Sequence, residues 1–97
     1  MKDLISKLNK LFDSRVRVGI MSMLLRSNWI DFRTLKESLG TTDGNLSSHL
    51  SALEKANMIK LKRQFVNNRP KTSYKITRQG LRRFTEHLEA YEQLTKV

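Results

Sequence analysis

Leu4, Ile5, Leu8, Leu11 and Phe12 recur at intervals of three and four, which predicts an amphipathic helix over residues 3–12 with Lys2, Lys7 and Lys10 on its outer side. Asp13-Ser14 can cap the next helix, where Val16, Ile20, Met21, Met23, Leu24 and Leu25 form a wide apolar stripe ending near Arg26, with Arg15 and Arg17 facing outward. Trp29-Ile30-Asp31-Phe32 is short and aromatic, and it reads as a brief strand handing over to a helix capped by Asp31. Leu35 and Leu39 face inward on that helix, and Gly40 can end it in the left-handed conformation.

A second short helix then starts at Thr41-Thr42, with Leu46, Leu50 and Leu53 on its inner face, and runs to about Asn57. Two short helices joined by a few residues that include Gly form a helix-turn-helix pattern, here over residues 33–57. From Met58 the apolar period drops to two. Ile59 and Leu61 alternate with Lys60 and Lys62, and Tyr74 and Ile76 alternate with Lys75 and Thr77. Asn67-Asn68-Arg69-Pro70-Lys71 has turn chemistry, so residues 58–77 are expected to form a β-hairpin, the "wing". Thr77 can cap a last helix over residues 78–95, in which Leu81, Phe84, Leu88, Tyr91 and Thr95 make a short heptad-like seam.

The 97 residues are enough for one core, so a single domain spanning 1–97 is expected. The chain has no cysteine, which removes disulfides, thiolate metal sites and thiol catalysis. No apolar run approaches the ~20 residues of a membrane span, and the N-terminal stretch has no signal-peptide pattern. A soluble, cytoplasmic protein with no membrane partner is expected.

Charge alters the picture more. Nineteen Lys and Arg against nine Asp and Glu give +10 and a pI near 10.4, the range of proteins that sit on phosphate polyanions. Ten basic residues (Lys55, Lys60, Lys62, Arg63, Arg69, Lys71, Lys75, Arg78, Arg82 and Arg83) and no acidic one lie between Lys55 and Thr85. The excess is therefore concentrated on the hairpin and the start of the last helix. A basic hairpin can lie along phosphates and release counterions, a reading that stands beside a plain solvated face or an arm for RNA or anionic lipid.

At about 100° per residue, the face opposite Leu46, Leu50 and Leu53 carries Gly44, Ser48, Ser51 and Lys55, flanked by Asn45, Ser47 and Ala52. Ordinary exposed faces carry Lys and Glu; this one is small and polar and suits a major groove, where Ser and Asn can bond base edges or phosphates. His49 is expected to be half-buried and to pack between helices. With His87 far away in sequence and no Cys, no metal site is expected. Glu86, Glu89 and Glu92 read as helix-surface charges, and Trp29 and Phe32 as core or strand anchors. No catalytic constellation appears, so neither an enzyme nor a cofactor is expected.

Several stretches together resemble the MarR/ArsR-like winged helix-turn-helix regulators, in particular the short single-domain type. They are Asp31-Phe32-Arg33-Thr34-Leu35-Lys36, Thr42-Asp43-Gly44-Asn45-Leu46-Ser47-Ser48-His49-Leu50, Leu53-Glu54-Lys55-Ala56, Arg69-Pro70-Lys71-Thr72-Ser73-Tyr74 and Ile76-Thr77-Arg78-Gln79-Gly80. The resemblance covers roughly Leu11 to Tyr91. It implies a mainly α (α+β) winged helix-turn-helix with the order α-α-β-α-α-β-β-α, a recognition helix over about Thr42 to Asn57, a wing at Asn67–Lys71 and dimerisation through the terminal helices. Asn57 stands where the family commonly has Gly, and Asn is the next best residue for a left-handed conformation. The cysteine-rich sites of metal-sensing relatives are absent.

The apolar faces of residues 3–12 and 78–95 exceed what a three-helix core with a hairpin needs. Leu4, Ile5, Leu8, Leu11, Phe84, Leu88 and Tyr91 are therefore expected to form a homodimer interface across a two-fold axis. Double-stranded DNA with a pseudo-palindromic operator is the expected partner. Thr42, Gly44, Asn45, Ser47, Ser48, Ser51 and Lys55 are assigned to the groove, and Lys62, Arg63, Asn68, Arg69 and Lys71 to phosphate or minor groove. The rival reading is a winged-helix assembly module whose basic face meets an acidic protein.

Overall fold

The computed structural model describes residues 1–96. The helices are α1 (Lys2–Ser6), α2 (Arg15–Arg26), α3 (Phe32–Leu39), α4 (Asp43–Lys55) and α5 (Arg78–Thr95). The strands are β1 (Ile30–Asp31), β2 (Ile59–Val66) and β3 (Arg69–Ile76). They form one antiparallel sheet in the order β1-β3-β2.

Local chemistry explains most boundaries. Ser14, Asp31, Thr42 and Thr77 are extended N-cap residues whose side chains accept from the backbone N–H of Arg17, Thr34, Asn45 and Gly80, so each helix starts where an orphan donor finds an oxygen. Gly40 (φ 61°) closes α3 and its N–H donates to Lys36 O. Asn57 (φ 63°) turns the chain from α4 into β2 in the same left-handed conformation.

Phe12, Ile20, Met21, Leu24, Leu35, Leu46, Leu50, Leu53, Met58, Ile59, Tyr74 and Phe84 form the core. The sheet packs on it through one face only. The register pairs Ile59 with Ile76, Leu61 with Tyr74, Arg63 with Thr72 and Phe65 with Pro70, which puts these pairs on the core face and its extension. Lys60 with Lys75, Lys62 with Ser73, Gln64 with Lys71 and Val66 with Arg69 occupy the outer face.

Four expectations are corrected. Residues 3–12 are not one helix: α1 ends at Ser6 and a separate 3-10 turn covers Lys10–Phe12. The break lies at Asn9, whose side chain accepts from Leu11 N–H while its own N–H donates to Nδ1 of His87 at 2.9 Å. A partner 78 residues away thus competes with helix continuation. Phe84 does not belong to a dimer surface, because it is fully buried in the chain's own core, and Leu11 packs against that core as well. The hairpin turn is shorter than Asn67–Lys71. Asn67 and Asn68 both have positive φ (54° and 63°), the two-residue turn whose twist matches the strands, so Arg69, Pro70 and Lys71 belong to β3. Arg17 turns inward rather than outward: it donates from Nε to His49 Nδ1 (2.9 Å) and from Nη1 to Leu11 O (3.2 Å).

Candidate nucleic-acid interface

The helix-turn-helix is held at both sides of its turn. Lys36 on α3 pairs with Asp43 at the start of α4 at 2.8 Å, and Thr42 caps α4. Leu46, Leu50 and Leu53 anchor α4 in the core, which leaves Gly44, Asn45, Ser47, Ser48, Ser51 and Lys55 exposed together, as the 3.6-residue period requires. Asn45 is preset, since its Nδ2 donates to Thr41 Oγ1 at 2.7 Å. A methyl group added at Gly44 would meet nothing within 4 Å. Intramolecular packing therefore gives no reason for glycine there, although it weakens the helix relative to Ala by about 1 kcal/mol. A bare backbone at the head of an exposed helix allows a ligand to approach closely.

Behind this face, the Arg17–His49 hydrogen bond ties α4 to α2, and the Arg17 bond to Leu11 O extends the tie toward the N-terminal segment. Burial, with the nearby Arg17 charge, holds the His49 pKa below its ordinary value. This agrees with Nδ1 accepting the hydrogen bond from Arg17 Nε.

The hairpin residues separate by face. Lys62 is half-buried on the outer face, its Nζ 4.4 Å from the centre of the Trp29 ring, with Lys60 and Lys75 each at 5.9 Å. One indole thus gathers three ammonium groups by cation–π attraction, and Ser73 is buried beneath this layer. Lys71 lies beyond it; its charge joins the stronger Thr34 hydrogen bond in lowering the pKa of Asp31. Arg63 stands on the opposite face, Asn68 is in the turn and Arg69 opens β3. The Trp29 cluster was not legible in the sequence, because it depends on β1 pairing with β3 and not with its chain neighbour. Phe65, also unassigned from the sequence, is exposed beside the turn. The available signal was the apolar pair Phe65-Val66 between Arg63-Gln64 and the Asn67-Asn68 turn.

Residues 16–95 match the family described as winged helix DNA-binding domain. The chain belongs to that family. The match takes in α2 through α5, and with them both the α4 face and the hairpin; the family is one of DNA-binding domains, not of enzymes. An uncharacterized protein of Methanocaldococcus jannaschii is 39% identical to this winged-helix chain over 87 residues, covering 90% of the chain and 95% of that protein. A transcriptional regulator homologue of Pyrococcus horikoshii superposes with a TM-score of 0.85 at 27% identity, over 98% of this chain and 92% of that one. A MarR-family putative transcriptional regulator of Porphyromonas gingivalis shares the fold, with a TM-score of 0.69 at 20% identity over 90% and 80% of the two chains. No helix among the described residues is long and apolar enough to cross a membrane.

His87, on the far side of the winged-helix domain, is buried between Phe12, Phe84 and Tyr91, with ring centres 5.3, 6.5 and 4.9 Å away. Burial lowers its pKa, against a weaker opposing pull from Asp13. The unfolded chain therefore binds protons more readily than the folded one. This cost is absent above the ordinary imidazole pKa of 6.5 and grows as pH falls below it toward the folded value. His49 acts in the same direction. The melting temperature is expected to drop between about pH 7.5 and about pH 5.5, and to drop less in His87→Gln, whose amide oxygen can still accept from Asn9. An undiminished drop in that variant would remove His87 as a source.

Proposed function

We propose that this winged-helix protein is a sequence-specific, double-stranded-DNA-binding transcriptional regulator, a homodimeric repressor whose α4 enters the major groove while the basic hairpin holds phosphate and minor groove. The observation that carries the reading is the exposed, small, polar face of α4, with Gly44, Asn45, Ser47, Ser48 and Ser51, beside a hairpin with no acidic residue. A major groove about 12 Å wide admits such a helix, and Ser and Asn can exchange hydrogen bonds with base edges. The likeness to the Pyrococcus horikoshii regulator homologue supports the regulatory part.

A two-fold pairing is supported by Ile5 on α1 and Leu88 and Tyr91 on α5, which stay exposed although α1 packs beside α5. Leu4 and Leu8 are half-buried at the edge of this surface. Pairing would cover these side chains and set two α4 helices roughly 34 Å apart, one turn of DNA.

Selection from a random duplex pool tests the reading. Enriched inverted repeats with half-sites about one helical turn apart are expected. On the selected duplex, Arg69→Ala with Lys71→Ala should reduce the slope of log affinity against log salt by about 3.6, or 0.9 for each of the four phosphate contacts that the two subunits would lose. An unchanged slope would take the hairpin off the phosphates. Negligible binding even at low salt would favour an assembly module that meets an acidic protein.

A further inference from the structure

Phe65 is 80% exposed, more than any other large hydrophobic side chain among the described residues, and nothing in the fold accounts for it. It is also held firmly. The β2–β3 ladder runs unbroken from Ile59–Ile76 to Val66–Arg69 and closes in the two-residue turn at Asn67-Asn68. Phe65 faces Pro70, whose ring fixes the backbone φ of the opposite strand. The resulting apolar step stands on the ribbon face that continues from the core, where Ile59 and Tyr74 share a cluster with the α4 leucines.

Its surroundings are cationic. Arg63 is the next residue on the same face, Arg69 lies at the turn, Lys62 and Lys71 are on the reverse face, and no acidic residue occurs between Lys55 and Thr85. A second copy of this hairpin would bring like charge against like. A polyanion with an apolar interior fits instead: duplex DNA, where cations hold the phosphates and an apolar wedge enters between base pairs from the minor groove.

We infer that Phe65 is such a wedge, partly unstacking one base step per subunit, so that this protein bends the DNA it binds. The inference rests on the DNA-binding reading and adds an activity to it. It also adds a source of specificity, because pyrimidine–purine steps unstack most readily and are favoured at positions that no side chain reads by hydrogen bonding.

The experiment uses a duplex selected by the wild-type protein from a random pool, with a donor and an acceptor dye at its two ends. Wild type should shorten the end-to-end distance on binding. Phe65→Ala should bind about 10-fold or more weakly with an unchanged salt slope, since no charge is removed, and should leave the duplex nearly straight. Phe65→Leu should keep much of the bend. Equal melting temperatures of the three proteins would confirm that folding is not the cause. A Phe65→Ala complex as bent as wild type overturns the wedge, and so does a wild-type complex that binds tightly without bending; both leave DNA binding intact. Absence of wild-type binding to any duplex at low salt overturns both readings together.

Discussion

Affinity for duplex DNA is expected to fall by about 100-fold at low salt when Ser48 and Ser51 are both replaced by Glu, equivalent to ~3 kcal/mol. Both residues are exposed on the outer face of α4, and among the described residues neither side chain has a hydrogen-bond or ion-pair partner. Two carboxylates placed there would be pressed against phosphates in a groove, where like charges cost several kcal/mol. Glu is at least as good a helix former as Ser, so melting temperature should change little. Gel shift and thermal unfolding together check the prediction. Retained affinity in a folded protein would show that α4 is not the DNA-contacting surface.

The second large effect concerns stability. Gly80→Ala is expected to destabilise the protein by about 2 kcal/mol, the usual range for forced overpacking, and to lower its melting temperature by roughly 10 °C. A methyl group at Gly80 would collide with the backbone carbonyl of Met58, which already accepts from Thr77 N–H (3.0 Å) and Thr77 Oγ1 (3.1 Å). Neither group is the loose end of a side chain, so α5 would have to shift against the start of β2. Gly44→Ala is the control: the same exchange with open space around it should stabilise by up to about 1 kcal/mol. A Gly80→Ala protein as stable as the Gly44→Ala one would mean that the α5–β2 junction yields freely.

The two glycines also show what a sequence can convey. Both sit near the start of a helix, and their letters are identical. One is forced by a backbone carbonyl from another element and the other by nothing inside the chain.

The sequence by itself determined the features that depend on neighbours a few residues apart. Ser14, Asp31, Thr42 and Thr77 each cap the helix expected of them, Gly40 and Asn57 adopt the left-handed conformation, and the leucine spacing of residues 46, 50 and 53 settled which face of α4 is outside. Capping, turn conformation and helical period act over one or two turns of chain, so they are written locally. Tertiary structure alone decided the break at Asn9, the inward turn of Arg17, the burial of Phe84 and the gathering of Lys60, Lys62 and Lys75 on Trp29. Each depends on a partner brought close by packing or by the β1-β3-β2 strand order, and periodicity cannot name a partner that the chain meets only once it has folded.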